Sequence, residues 1–332
     1  MKPLSVSFIM PYYKVEIALL ARAVESVRAL EDAIDWEIWI IDDGTPGDEA
    51  GTYVGRLNDR RVHYHPQSNQ GPGGARNTGM ELAQKEYIHF LDADDYLFRS
   101  PMLKALDLLS ARRPDILAFR SEKVYARAVS DAPTHCQEQV VFQGSGVDFM
   151  LRHNLHGSMG SYMFRRDIAG GLRFTPLAYH EDEEFTALLF LKARKLMVTT
   201  LPVYAYYQRK GSIMHRNDTK FVRKRFLDLI TIIQNLKAQR TGMAPPASVA
   251  LEKRIDMLQM SMVYTLLGDS PDTGFLLDML RRMKEKGMFP LAKRSGSLPY
   301  TLVRISTLNP HAAMAVSKIF RLFHYRHAGK SS

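Results

Sequence analysis

Three carboxylates follow a short apolar run in residues 87–97, YIHFLDADDYL. Asp92, Asp94 and Asp95 fall within four residues, and like charges at that spacing repel one another. A hard divalent cation such as Mg²⁺ or Mn²⁺ prefers carboxylate oxygens and would cancel this repulsion, and such an ion often bridges substrate phosphates. The segment therefore predicts a metal site. The alternative is a solvated loop in which Asp95 caps the next helix.

A second acidic pair, Asp42 and Asp43, ends the earlier apolar run WEIWII. Carboxylates accept hydrogen bonds from base imino groups and ribose hydroxyls, so a nucleoside contact is one interpretation. Asp-Gly is also a strong turn signal, which gives the alternative.

The segment NQGPGGARNTG, residues 69–79, is a glycine-rich entry to a helix. Its backbone N–H groups could bind a phosphate, with the guanidinium of Arg76 as a fork-shaped partner. The spacing fits neither the G-x-G-x-x-G nor the P-loop pattern. A plain loop is therefore the alternative interpretation.

Two later segments carry groups suited to group transfer. In HEDEEF, residues 180–185, four acids begin a helix; they match the helix dipole, and one of them near a leaving group could act as a general base. The segment QRKGSIMHR supplies Arg209, Lys210, His215 and Arg216. This chemistry suits closure over an anionic phosphate, and His215 is also a candidate metal ligand.

The apolar pattern predicts a scaffold that would bring these segments to one edge. Residues 4–10, 36–41, 61–65 and 87–91 are typical of strands, and helices are predicted between them. Strands alternating with helices predict an α/β fold with a mostly parallel sheet flanked by helices. Ligands bind beyond the carboxyl ends of such strands. Pro11 and Tyr12 and both aspartate clusters fall at these ends.

Composition sets further bounds. The 332 residues are 45% hydrophobic and contain one cysteine, Cys136, which excludes an intrachain disulfide and fits a reducing compartment. No apolar run is long enough for a membrane span or a signal peptide. We therefore expect a cytoplasmic chain.

The order of the motifs carries more information than any one of them. The series VSFIMPYYKV, IIDDGTPGD, NQGPGGARNTGMELAQKEYIHFLDADDYL, HEDEEF and YYQRKGSIMH resembles the inverting nucleotide-sugar glycosyltransferases of family 2, which have the GT-A fold. The resemblance implies a catalytic domain at residues 1–216 with Mn²⁺ or Mg²⁺ as cofactor. It also implies transfer from a nucleotide-diphosphate sugar, in the first instance a UDP-sugar, to a hydroxyl of a glycan or lipid-linked acceptor, in surface polysaccharide synthesis.

The resemblance implies a donor pocket. Asp43, with Asp42 beside it, is similar to the acid that contacts the base and ribose, and Pro11 and Tyr12 would border the pocket. Arg76 matches the arginine of the family's ARN.G segment near the nucleotide.

The resemblance also implies the reacting groups. Asp94 would be the direct metal ligand, with Asp92 nearer the ribose or sugar, and His215 would be a further ligand. Arg209 would belong to the loop over the diphosphate. Asp182 matches the acid of the ED motif, which is the catalytic base of a single inverting displacement.

Two features differ from many relatives. Lys14 occupies the fourth place of PYYK, where many relatives have Asn. The Q-x-x-R-W motif and the membrane spans of processive synthases are missing from the sequence. We therefore expect transfer of one or a few sugars rather than polymer extrusion.

Rival functions share part of this chemistry. A sugar nucleotidyltransferase would show glycine-rich and lysine signatures near the N-terminus, which this sequence lacks. A glycosidase needs two carboxylates flanking the bond and no nucleotide. A GT-A-fold binding protein without activity is opposed by the presence of both Asp94 and Asp182.

Charge divides the chain. Residues 217–332 hold 19 Lys+Arg against 8 Asp+Glu, and we expect a basic helical C-terminal region. In residues 312–326, one predicted helix face carries Ala312, Val316, Ile319, Phe320 and Phe323, with Lys318, Arg321 and Arg326 nearby. Such a helix suits an anionic membrane surface, which would make the protein peripheral on the cytoplasmic face. Packing on the catalytic domain or on a second subunit, as a homo-oligomer, is the alternative. No recognised nucleic-acid motif accompanies the charge.

Overall fold

The computed structural model of the protein describes residues 3–31, 33–125, 139–208, 218–289, 291 and 298–328. In the last of these ranges, side chains are described for residues 300–320. The chain forms two compact units, Met1–His215 and Arg216–Ser332.

The first unit alternates strands and helices. Its strands are β1 Ser5–Tyr12, β2 Asp35–Asp42, β3 Val62–Pro66, β4 Tyr87–Phe90, β5 Tyr96–Leu97, β6 Ile116–Val124, β7 Val140–Gly144, β8 Tyr162–Arg165 and β9 Leu196–Tyr207. Its helices are α1 Ile17–Arg28, α2 Glu49–Leu57, α3 Gly71–Leu82, α4 Arg99–Arg112, α5 Gly146–Arg152, α6 Arg166–Ala169 and α7 Glu181–Lys192.

The described strands form one sheet in the order β3-β2-β1-β4-β8-β6-β9-β5, with β7 paired to β9. The first four strands are parallel, as the alternating pattern predicts. Strand β8 runs antiparallel between β4 and β6, and β6 and β9 are parallel to each other. The predicted α/β fold with helices around the sheet is therefore confirmed.

The core explains why α1 lies on the sheet. Leu20, Val24 and Val27 are fully buried and belong to one cluster with Phe8 and Met10 of β1. These helix residues recur at intervals of three and four, so they share one face. The predicted amphipathic helix is thus confirmed.

Helix α3 approaches β1 closely because of a glycine. A Cβ built on Gly79 would lie 2.2 Å from Cγ2 of Ile9, a distance that no side chain could occupy. The glycine of the ARNTG segment therefore has a packing reason, and α3 is held against the strand that carries Pro11 and Tyr12.

The second unit is helical. Its helices are α8 Thr219–Arg240, α9 Ala247–Asp269, α10 Thr273–Glu285, α11 Leu298–Ser306 and α12 Pro310–Ala328. Asp218 and Asp272 cap α8 and α10 by accepting from the backbone N–H groups of Lys220 and Phe275. The helical C-terminal region that the sequence predicts is confirmed.

The apolar face predicted for α12 is not available as a whole. Val316 and Phe320 are buried. The ring of Phe320 packs edge-on against Tyr264 of α9, with ring centroids 5.0 Å apart. Ser317 also donates a hydrogen bond to the carbonyl of Leu267. The helix therefore packs within its own unit, and contact of its remaining surface with an anionic membrane stays a prediction. None of the described helices has the length and apolar character needed to cross a membrane.

Candidate active site

Strand pairing sets where the predicted site residues lie. Tyr12 is in register with Asp42 across the parallel pair β1 and β2, and Ile9 is in register with Phe90 across β1 and β4. The carboxyl ends of these strands therefore meet at one edge of the sheet. Pro11, Tyr12 and both aspartate clusters follow this edge, as the sequence predicts.

The Asp42 carboxylate is used within the fold. Its Oδ1 accepts from the backbone N–H of Thr45 at 2.8 Å, and its Oδ2 accepts from the hydroxyl of Tyr64 at 2.8 Å. The residue is only 3% exposed. Asp42 thus closes the turn that the Asp-Gly signal predicts.

The Asp43 carboxylate binds the start of α3. Its Oδ1 accepts from the backbone N–H of Gln70 and from Nε2 of Gln67, and its Oδ2 accepts from the backbone N–H of Gly71, each at 2.8 Å. A carboxylate at a helix N-terminus is favoured by hydrogen bonding and by the helix dipole. These two N–H groups of the glycine-rich segment therefore bind Asp43, which corrects the hypothesis that the start of this helix is open to phosphate.

The end of β1 lies beside Asp42, with Tyr12 as its strand partner. Tyr12 is buried and its hydroxyl donates to the carbonyl of Val15; burial, followed by the nearby Asp42 charge, raises the pKa of Tyr12. Pro11 is partly exposed. Lys14 has φ 52°, a left-handed conformation that Asn tolerates more readily than Lys. The departure at PYYK therefore falls on a position where the backbone favours Asn.

Arg76 is a buried cation between carboxylates. Its Nη2 lies 3.1 Å from Oδ1 of Asp92 and its Nη1 lies 2.6 Å from Oε1 of Glu181. Burial alone would lower the pKa of Arg76, but Asp92, then Glu181 and Asp182, raise it above its usual value. The arginine thus joins the D-x-D segment to the ED motif of α7. Glu181 was not singled out from the sequence, where it is one of four adjacent acids.

Small and polar residues of α3 let it contact the segment before α7. A Cβ on Gly73 would lie 3.0 Å from Cβ of Phe174 and 3.2 Å from Cγ of Glu181. Asn77 donates through Nδ2 to the carbonyl of Phe174 and accepts from the N–H of the same residue. The ring of Phe174 stacks on Phe185 at 4.0 Å. These contacts fix the start of α7 beside Arg76.

The three acids of the D-A-D-D segment have separate environments. Asp95 is 1% exposed; its Oδ2 accepts from the Tyr204 hydroxyl at 2.6 Å and its Oδ1 from the backbone N–H of Tyr207 at 2.8 Å. Burial, followed by the charges of Asp92 and Asp94, raises the pKa of Asp95 well above its usual value. Asp92 and Asp94 are only partly buried.

This arrangement corrects the helix-cap alternative for Asp95. The N-cap position of α4 is Phe98, so Asp95 caps no helix. Its carboxylate instead ties the segment to β9. Tyr204, which makes this contact, carries no sequence motif that would have singled it out.

Asp182 lies in the first turn of α7. The residue before the helix, His180, has φ 65°, a left-handed conformation that sets the direction of the first turn. Asp182 is partly buried. Burial, then the charges of Glu181 and Glu183, raise the pKa of Asp182 well above its usual value. A raised pKa suits a carboxylate that must accept a proton near neutral pH.

The last predicted group is not described. Arg209, Lys210, His215 and Arg216 all fall in residues 209–217, outside the described residues. Among all the described residues, the D-A-D-D segment included, no three His, Cys, Asp or Glu side chains come together as a metal site. Mg²⁺ and Mn²⁺ are commonly bound by one or two carboxylates plus substrate phosphates. The donor set of Asp92 and Asp94, both partly exposed, fits a cation of that kind.

A comparison with known families bears on this geometry. Residues 7–171 match the family model described as glycosyl transferase family 2. The chain belongs to this family. The predicted membership is therefore confirmed.

Curated relatives are named as a glycosyltransferase or as a succinoglycan biosynthesis protein. The uncharacterized glycosyltransferase EpsJ of Bacillus subtilis is 27% identical over 219 residues, which are 63% of this chain and 62% of EpsJ. The succinoglycan biosynthesis protein ExoW of Rhizobium meliloti is 37% identical over 101 residues, 29% of this chain and 31% of ExoW. The chain thus spans less than two thirds of the length of these relatives.

Solved structures confirm the fold. The protein resembles S. aureus TarS 1-349 in complex with UDP-GlcNAc with a TM-score of 0.67 and 16% identity, covering 98% of this chain and 92% of that one. It resembles the mannosyltransferase PcManGT from Pyrobaculum calidifontis, in complex with GDP-Man and Mn²⁺, with a TM-score of 0.55 and 14% identity, covering 98% and 88%. At these identities the likeness shows the GT-A fold alone.

Proposed function

We propose that the protein is an inverting glycosyltransferase that moves a sugar from a nucleotide-diphosphate sugar to an acceptor hydroxyl. The observation that carries this proposal is the chain of contacts from Asp92 through Arg76 to Glu181, the neighbour of Asp182. This chain of contacts supports the proposal because it joins the partly exposed residue Asp92 to the helical turn that carries Asp182, whose pKa is raised. Inverting transfer requires these two groups to work on one anomeric carbon.

Asp182 is the proposed catalytic base. It would take the proton from the acceptor hydroxyl while that oxygen attacks the anomeric carbon from the face opposite the leaving diphosphate. Glu181 is held by Arg76 at 2.6 Å and is therefore unsuited to accept that proton. One displacement then inverts the anomeric configuration.

A divalent cation, Mn²⁺ or Mg²⁺, held by Asp94 with Asp92 beside it, would supply positive charge next to the departing diphosphate. His215 and Arg209 belong to the same proposal, from residues that the structure does not describe. Arg76 acts on the donor through Asp92, because both of its terminal nitrogens are already paired with carboxylates.

The nucleoside side of the pocket is proposed at Pro11, Tyr12, Asp42 and Asp43. An ionised carboxylate offers about four acceptor sites, and three protein donors bind the Asp43 carboxylate. One acceptor position on Oδ2 thus remains for a base or ribose. A UDP-sugar is the first candidate donor, since the similar TarS structure is a complex with UDP-GlcNAc, and a GDP-sugar is the second.

The acceptor is proposed to be a glycan or lipid-linked sugar in surface polysaccharide synthesis, in line with the name of ExoW. This work would take place on the cytoplasmic side. The second unit could contact an anionic membrane through Ile305, Leu308 and Ile319, the exposed apolar residues of α11, α12 and the turn between them. Homo-oligomer formation is the alternative use of that surface. Residues 217–332 are proposed as a separate helical domain.

The test is a donor screen followed by a base variant. UDP-Glc, UDP-GlcNAc, UDP-Gal and GDP-Man are incubated with Mn²⁺ and protein, and release of nucleoside diphosphate is measured. Asp182→Asn should lower turnover by about 10² to 10⁴ while donor affinity by calorimetry stays within about twofold. Glu183→Gln, in the same helical turn, is the matched control and should keep turnover within about tenfold.

Two outcomes would contradict the proposal. Release of pyrophosphate from a nucleoside triphosphate and a sugar phosphate would identify a nucleotidyltransferase. Donor binding without transfer or hydrolysis of any donor, in wild type and Asp182→Asn alike, would identify a GT-A-fold binding protein without activity.

A further inference from the structure

Helix α1 contacts the acidic segment through Arg22 and Ser26, although none of its residues belongs to a recognised site motif. Arg22 is 9% exposed, and its Nη2 donates to the backbone carbonyl of Asp94. One turn later on the same helix, Ser26 accepts from the backbone N–H of Leu97 at 3.2 Å through its Oγ. The helix therefore binds both ends of residues 94–97.

Aromatic rings fix the Arg22 guanidinium in place. Its central carbon lies 4.7 Å from the ring centroid of Tyr96 and 4.5 Å from that of Tyr207. A guanidinium near two aromatic faces is attracted by both and loses orientational freedom. The two rings thus favour the guanidinium position from which Arg22 donates to the Asp94 carbonyl.

Strand β9 binds the same segment through Asp95. Asp95 accepts from the Tyr204 hydroxyl and from the N–H of Tyr207. Tyr207, the last residue of β9, therefore contacts both Arg22 and Asp95. Two elements thus hold residues 94–97: α1 through Arg22 and Ser26, and β9 through Tyr204 and Tyr207.

These contacts also counter the crowding of charge. Three carboxylates within four residues would separate if the backbone were free to rearrange. The Arg22 cation is attracted to the charges of Asp95 and Asp94, and the Asp95 carboxylate binds Tyr204 and Tyr207 of β9. The two remaining acids, Asp92 and Asp94, are left partly exposed at the edge of the sheet.

We propose that Arg22 is a positioning residue that holds Asp94 in place for the donor diphosphate and its cation. The inference rests on the proposed function, because it assigns Arg22 to the donor site of that reaction. Arg22 does not touch the substrate. It acts through the backbone of the acidic segment.

The test compares Arg22→Met and Arg22→Lys with Arg28→Met. Arg28 is the matched control, since it lies on the same helix and pairs with Glu25 and Asp59. Calorimetry measures the affinity for UDP at a series of Mn²⁺ concentrations, and kinetics separate kcat from KM for the donor found in the screen. GDP replaces UDP if the screen selects a GDP-sugar.

Arg22→Met should raise the half-saturating Mn²⁺ concentration by about 10- to 100-fold, as changes of outer-shell partners commonly do. At saturating Mn²⁺ and donor, kcat should stay within about threefold of wild type. Arg22→Lys keeps the charge but not the planar stacking, and should fall between wild type and Met. Arg28→Met should match wild type.

Wild-type Mn²⁺ dependence in Arg22→Met, with loss of that dependence in Asp94→Ala, would overturn the inference. The same would follow from an equal loss in Arg28→Met, because the effect would then be general to the helix. If Arg22→Met fails to fold, Arg22→Lys and Ser26→Ala carry the test in the same direction. If wild-type protein binds neither UDP nor GDP with Mn²⁺, the proposed function itself fails, and this inference fails with it.

Discussion

The pairs Asp42–Asp43 and Asp92–Asp94 follow the two strands that flank β1, yet the fold uses them differently. Asp42 and Asp43 are each 3% exposed and bind turn and helix N–H groups. Asp92 has a side chain that is 44% exposed. The same sequence pattern, an acid after an apolar strand, thus builds the scaffold in one place and leaves a candidate ligand site in the other.

The difference comes from the segment after each strand. After β2 the chain passes through α2 and β3 to α3, whose N-terminus presents N–H groups to Asp43. After β4, the Tyr204 hydroxyl binds the Asp95 carboxylate and Arg22 binds the backbone carbonyl of Asp94. Buried carboxylates need such partners because an unpaired buried charge is destabilising. Three predictions test how firmly this division holds.

The largest effect on stability is expected at Arg76, which pairs with the buried Glu181 and with the partly exposed Asp92. Arg76→Met removes the partner of Glu181, which is 6% exposed, and leaves its charge uncompensated. The free energy of unfolding should fall by about 3–5 kcal/mol, measured by urea denaturation. Arg173→Met, which removes an exposed arginine that pairs with Glu81, is the control. A loss below about 1 kcal/mol in Arg76→Met would show that Glu181 becomes protonated at little cost.

The second variant pair compares the two aspartate pairs directly. Asp43→Ala leaves two helix N–H groups and the Gln67 amide without their acceptor, and should lower the free energy of unfolding by about 3 kcal/mol. Asp94→Ala should change it by about 0.5 kcal/mol or less, because removing one of three like charges offsets lost contacts.

The Mn²⁺ dependence of nucleotide binding should show the reverse order for the two positions, because the cation is proposed to lie at Asp94 and not at Asp43. Asp94→Ala should abolish the Mn²⁺-dependent part of UDP affinity in calorimetry. Equal losses of stability at the two positions, or unchanged Mn²⁺ dependence in Asp94→Ala, would remove the distinction between scaffold and site acids.

The smallest of the three effects is the pH dependence of stability that comes from β4, the strand before Asp92 and Asp94. His89 of β4 is fully buried, with Nδ1 3.1 Å from the carbonyl of Tyr162. Burial lowers the pKa of His89 from 6.5 to about 4. Between these values the unfolded chain binds a proton that the folded protein does not, so stability is lost as pH falls from 6.5 toward 4. At pH 5 the loss should be about 2 kcal/mol relative to neutral pH.

His89→Gln removes this titration, so its unfolding free energy should decline less between pH 7 and pH 5 than that of wild type. His156→Gln, at an exposed position, should keep the wild-type slope. Denaturation at both pH values measures the difference. Parallel slopes in wild type and His89→Gln would show that His89 takes up a proton in the folded state.

Much of the architecture was predictable from the sequence. Alternating apolar runs predicted the parallel strands β1 to β4 and the helices between them, since burial requires that periodicity. Motif order predicted the family. The charges of Asp95 and Glu181 were visible, but their roles were not, because their partners Tyr204, Tyr207 and Arg76 lie about 100 residues away in the chain.

The sequence by itself determined which chemical groups are present, the strand ends at which they fall and the family they belong to. The tertiary structure alone decided which of the acids are used to hold the fold. It bound the carboxylates of Asp42, Asp43 and Asp95 to donors of the scaffold and left Asp92, Asp94 and Asp182 partly exposed. The physical reason is that an acid's role depends on the donors around it, and packing between distant segments supplies those donors.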